Sequence, residues 1–197
     1  MYRTQATAAL RVTRPSTETF GVSQASRDSR LLRLFHSKTL HRELRRSTKL
    51  NLQSVASLAV EELAAEPVPS RAGRRSDSLA IHGQLVDGLP GLALFVASAL
   101  AFESLQEALP YFDLTAKTAW QKLESILNPA QSEQALRLAR VATQSAELFG
   151  SAEAGRKYLR TPNFALGGAT PLELLRTGQG EQLVLAELHT QAAGGPV

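Results

Sequence analysis

An all-α protein is predicted by three observations. Apolar residues recur at helical spacing throughout the chain after about Ser78, residues that start and stop helices punctuate those runs, and no stretch alternates β-branched and polar residues as a half-buried strand would. Apolar residues make up 43% of the 197, enough to bury a core of ordinary size.

Residues 1–26 are polar, rich in Ser, Thr and Gln, and predict weak order or disorder. Arg27 to Lys49 places Leu31, Leu34, Phe35, Leu40 and Leu44 among eight Lys/Arg and only two acids, the pattern of a basic amphipathic helix. Such a helix suits DNA, a membrane surface or the body of the protein, and the pattern does not choose. Asn51 to Glu66 reads as another helix. The Pro, Gly, Ser and Arg content of residues 67–76 reads as a linker, and a domain boundary is placed there.

Pro90 to Phe102 predicts the first helix of the body, with Leu92, Phe95, Val96, Ala99 and Leu100 facing inward. Glu103 to Phe112 is a shorter second helix, limited by Pro110, which lacks the backbone donor a helix interior needs. Thr115 to Leu127 places Ala116, Ala119, Trp120, Leu123, Ile126 and Leu127 on one face, so Trp120 is read as core. Asn128-Pro129 opens a long helix closed by Gly150, the expected centre of the core, and Ala152 to Arg160 is a short helix that stops before Pro162. Thr170, Pro171 and Glu173 form a capping-box signature for a helix ending near Gly178. The last helix runs from Glu181 to Thr190 and carries Leu183, Val184, Leu185 and Leu188.

Charge is uneven along the chain. Residues 1–75 hold fourteen Lys/Arg against six Asp/Glu, net +8, and residues 76–197 hold eight against twelve, net −4. A basic arm on an acidic body favours nucleic acid through counterion release, and a merely solvated tail has the same composition. Cysteine is absent, which excludes disulfides and thiolate sites, and His36, His41, His82 and His189 are too scattered for a metal site. No metal, cofactor or catalytic residue is predicted. The most apolar stretch, Leu89 to Phe102, is shorter than the roughly 20 residues that cross a bilayer, so no membrane association is expected. The start lacks the apolar core and cleavage site of a secretory signal, although its Arg, Ser and Thr content is that of a transit peptide.

Glu103 to Leu127 has the spacing of a helix-turn-helix, with a tight turn at Phe112-Asp113-Leu114 and Thr115 capping the second helix. Its reading face would offer Thr115, Lys117, Thr118, Gln121 and Lys122 to phosphates and base edges. Any three-helix core gives the same short helices, and the face contains no arginine. Gly167-Gly168 is not a phosphate loop, because neither a preceding strand nor a following Gly-Lys-Ser/Thr is present.

The run Asn163-Phe-Ala-Leu-Gly-Gly-Ala-Thr-Pro-Leu-Glu-Leu-Leu-Arg-Thr-Gly178, preceded by Leu136-Arg-Leu-Ala-Arg-Val141 and Leu148-Phe-Gly150, resembles the Xre/MbcA/ParS antitoxin family. The likeness extends over about Leu89 to Ala193. It implies an Xre-like helix-turn-helix bundle at residues 78–128 and a small helical toxin-binding region at 129–197, after a basic, partly disordered or helical arm and linker at 1–77. It further implies a cytoplasmic bacterial antitoxin that homodimerises, binds its own promoter and neutralises a RES-domain toxin acting on NAD by covering its active site. Carried onto this chain, the toxin-facing residues are Asn163, Leu166, Gly167, Gly168, Leu172 and Leu175. The final helix extends them with Glu181, Val184 and Leu188, its acids opposing basic groups of the toxin's cleft and its apolar face anchoring the contact. The chain departs from the family in its weakly basic recognition helix and its long N-terminal segment. A helix-turn-helix regulator without a toxin is the alternative, and a small hydrolase or transferase lacks a convergent catalytic set.

Overall fold

The computed structural model describes residues 23–46, 52–65 and 75–194, so most of the segment expected to be weakly ordered and most of the linker lie outside the described residues. The described residues form α-helices joined by short turns, with no β-strand and only an isolated bridge between Pro90 and Ile126. The helices are α1 (Gln24–Phe35), α2 (Lys38–Arg46), α3 (Leu52–Ala65), α4 (Arg75–Asp87), α5 (Leu92–Ala101), α6 (Leu105–Ala108), α7 (Ala116–Lys122), α8 (Pro129–Phe149), α9 (Ala152–Arg160), α10 (Pro171–Leu174) and α11 (Gly178–Ala192).

The centre is α8, as its length and wide apolar face predict. Asn128 caps it by accepting a hydrogen bond from the Gln131 amide at 2.8 Å, and Pro129 takes the first helical position. Packed around α8 are α1, α4, α5, α9 and α11. Against it lies α5, all ten of whose residues are buried. A helix apolar all round belongs in a core, and each of its large side chains contributes about 2 kcal/mol by leaving water. Among the described residues no single helix is long and apolar enough to cross a membrane.

The basic amphipathic segment is two helices rather than one, because the chain turns at His36-Ser37. Neither projects as an arm. Leu31, Leu34, Phe35, Leu40 and Leu44 are all buried and join the same apolar cluster as α5 and α8. The stripe was visible in the sequence, but a stripe names a face and not the surface it meets. Within the last two residues of the expected linker, α4 begins at Arg75, and it packs on α1 and α8.

Two other expectations need correction. Trp120 is 38% exposed, with its ring 5.2 Å from Phe95, and Ile126 is 60% exposed. For Ile126 the cause is that α7 ends at Lys122: Leu123 and Ser125 donate to the Trp120 and Lys122 carbonyls in tight turns, and the predicted single face stops being continuous. Gly178 does not end a helix but begins α11, because Thr177 caps it through the Gly180 amide at 3.0 Å.

Candidate functional site

The motif that carried the resemblance folds into a closed loop followed by a capped turn of helix. Asn163 organises the loop: its side chain accepts from the Ala165 amide at 2.9 Å, its carbonyl accepts from Leu166 at 3.0 Å and Gly168 at 2.9 Å, and its amide donates to Ala169 at 3.1 Å. Gly167 and Gly168 take φ values of +70° and +85°, a region other residues enter only with strain, and this reversal closes the loop. Thr170 and Glu173 then form the predicted capping box, with Thr170 N to Glu173 Oε2 at 2.8 Å and Glu173 N to Thr170 Oγ1 at 3.2 Å. The Thr170 backbone amide first, and its hydroxyl second, hold the Glu173 carboxyl below its ordinary range by hydrogen bonding to the carboxylate.

At the tip of this loop stands Phe164, 98% exposed. It was missed as a site residue. The signal that would have found it is a large aromatic outside any helical period, set between Pro162 and a double glycine. Beneath it Leu166 turns inward and packs partly buried against the core, so the loop is pinned from below while its tip stays bare.

The remaining predicted toxin-facing residues divide sharply. Asn163, Gly167 and Gly168 build the loop, and Leu172 is half-buried beside it. Leu175, Val184 and Leu188 are completely buried in the chain's own core, and the apolar residue that α11 exposes is Leu183, at 50%. Glu181 also points inward. Its carboxylate binds Arg140, which simultaneously holds Asp28 of α1 with Nε–Oδ1 at 2.8 Å, and Arg137 Nε lies 3.5 Å from Glu181 Oε2. All four side chains are at least 85% buried. Burial alone would lower the Arg140 pKa, but its hydrogen bonds to Asp28 and the charges of Asp28 and Glu181 raise it, so it remains a cation. As the chain stands, Leu175, Glu181, Val184 and Leu188 all face its interior. An apolar helix face and a lone acid look the same in sequence whether they meet the chain's own core or a partner.

Close packing fixes α10 and α11 to each other and to the rest. A Cβ on Gly180 would lie 1.9 Å from the Leu174 carbonyl oxygen, so only glycine permits this approach. Tyr111 donates its hydroxyl to the Leu175 carbonyl at 2.9 Å, and the Arg176 guanidinium lies over the Tyr111 ring at 5.8 Å. The loop region is thereby joined to the segment before α7.

In that segment α6 and a 3₁₀ turn at Leu109–Phe112 replace the single predicted helix, Asp113 takes a left-handed conformation at φ 53°, and α7 follows. Thr115 caps α7, accepting from the Thr118 amide at 3.3 Å, so its hydroxyl is committed to the helix end. Lys117 and Gln121 are exposed, while Thr118 and Lys122 are half-buried. The candidate DNA-reading residues thus share one short helix of seven residues. Among the described residues no cluster of His, Asp and Glu suits a metal ion.

No curated protein gives a significant match to the chain. Residues 144–194 match the family model described as the antitoxin Xre/MbcA/ParS C-terminal toxin-binding domain. The match takes in the closed loop, the capping box and the double glycine, and it leaves the α6–α7 segment outside. From the last turns of α8 through α11, this chain is thus similar to the toxin-binding domain of Xre/MbcA/ParS antitoxins.

Proposed function

We propose that the chain is the antitoxin of a type II toxin–antitoxin pair, and that its Asn163–Ala169 loop, led by Phe164, covers the active site of a RES-domain toxin that acts on NAD. The observation that carries this reading is an aromatic ring 98% exposed on a loop closed by its own backbone hydrogen bonds, inside the region matching a toxin-binding domain. Aromatic residues held rigidly at the centre of a contact dominate binding energy, because little ordering entropy is lost when they are buried. No catalysis by this chain is required. In the same reading the chain homodimerises and binds its own promoter through α7, with Lys117, Thr118, Gln121 and Lys122 toward the DNA, which represses the operon.

The test is coexpression with a RES-domain protein encoded beside it. The native chain should restore growth and cellular NAD, and Phe164→Asp, at an exposed position, should lose both effects while keeping its helical content and melting temperature. Full neutralisation by Phe164→Asp would remove the loop from the toxin contact. Promoter binding without any neutralisation would leave the chain a regulator alone.

A further inference from the structure

The outer face of α2 is basic. Its apolar residues Leu40 and Leu44 are turned inward and sealed, at 0% and 1% exposure. What remains outside is charge: Lys38, Arg42 and Arg46 are exposed and make no ion pair among the described residues, and the Arg45 side chain is 58% exposed. These residues border a cleft of about 600 Å³ whose wall also includes Phe35, His41 and Pro90. Lys38, Arg42 and Arg46 recur every fourth residue, so they form a row with a step of about 6 Å along the helix.

The position of that row gives it meaning. Glu124, two residues beyond α7, binds Arg45 through Nε–Oε1 at 2.8 Å and lies 3.5 Å from His41 Nε2. The Arg45 hydrogen bond holds the Glu124 carboxyl below its ordinary range. The basic face of α2 therefore adjoins the C-terminal end of α7, outside the region that matches the toxin-binding family. A bilayer would need apolar residues on the outer face, and α2 has spent them on the core.

We propose that the exposed face of α2, carried by Lys38, Arg42 and Arg46 with Arg45 restrained by Glu124, binds the phosphate backbone of duplex DNA beside α7. The inference extends the DNA-binding part of the function proposed above. Its contribution is independent of base sequence and acts by counterion release. Glu124 works as a brake, lowering the charge of the row and engaging one of its arginines.

The experiment uses the full chain and a fluorescent, mixed-sequence DNA duplex titrated over a range of salt concentrations. Arg42→Ala/Arg46→Ala should weaken binding by roughly tenfold or more and reduce the slope of log K against log salt by about 2, since each phosphate contact contributes about 0.9. Glu124→Gln should tighten binding, an effect that loss of folding cannot imitate. Lys117→Ala/Lys122→Ala serves as the comparison. If this variant loses binding while the α2 variant keeps native affinity and slope, α7 reads DNA and the α2 proposal is overturned. If the chain binds no duplex at all, both readings fail. Equal displacement by polyglutamate and by unlabelled duplex at matched charge would overturn the assignment to DNA.

Discussion

Within about fifty residues of the same family-matched region, the apolar side chains of two stretches meet opposite fates. Along α11, Val184 and Leu188 are sealed and Glu181 is tied to Arg140, whereas the loop before α10 leaves Phe164 almost wholly in water. The difference separates the parts of a binding domain that hold its shape from the part that is available to a partner. Apolar character does not make that distinction. The helix has a neighbour that accepts its face, and the loop, closed on itself by the hydrogen bonds of Asn163, holds its aromatic tip out in water.

Substitutions can break this contrast. The largest effect is expected at Arg140. Arg140→Met leaves Asp28 and Glu181 buried without their shared cation and should cost about 4 kcal/mol of stability, measured by chemical denaturation. A loss below about 1 kcal/mol would show that the network is solvated and that α11 is free to leave. Leu188→Ala opens a cavity in the core and should cost about 3 kcal/mol, with toxin binding falling only as far as unfolding accounts for it. If toxin affinity fell while stability held, α11 would belong to the contact after all.

Phe164→Ala gives the reverse pattern. Toxin affinity should fall by about 2 kcal/mol, roughly thirtyfold, in a calorimetric titration, while stability stays within about 0.5 kcal/mol of native. The smallest effect is expected at the cap. Thr170→Ala should cost about 1 kcal/mol and loosen α10, read as faster amide exchange at Glu173. Because the Thr170 hydrogen bonds depress the Glu173 carboxyl in the folded state, their stabilisation is present above the ordinary carboxylate value and is lost as pH falls through the depressed one. Thr170→Ala removes only the hydroxyl and keeps the backbone donor, so it should flatten the acid limb of the stability profile only in part.

How much of this was legible varies by residue type. The helix ends were readable where a local group satisfies the backbone: Asn128 with Pro129, and Thr170 with Glu173, act over three or four residues and stand where the sequence places them. The burial of Ile126 was misread because the helix before it ends at Lys122, which no local signal marks. The arginines of Leu136-Arg-Leu-Ala-Arg were visible inside an apolar face, yet their acids, Asp28 and Glu181, lie 112 and 41 residues away in the chain.

Sequence by itself determined the all-helical class, the caps at Asn128 and Thr170, and the family likeness of the C-terminal region, because these rest on short-range periodicity and on a compact run of residue types. Only the tertiary structure decided which apolar faces are used internally, that the basic helix α2 lies on the body with its charges outward, and that Phe164 is exposed while Val184 and Leu188 are buried. The physical reason is that burial belongs to a pair of surfaces, and one strand of sequence describes only one member of the pair.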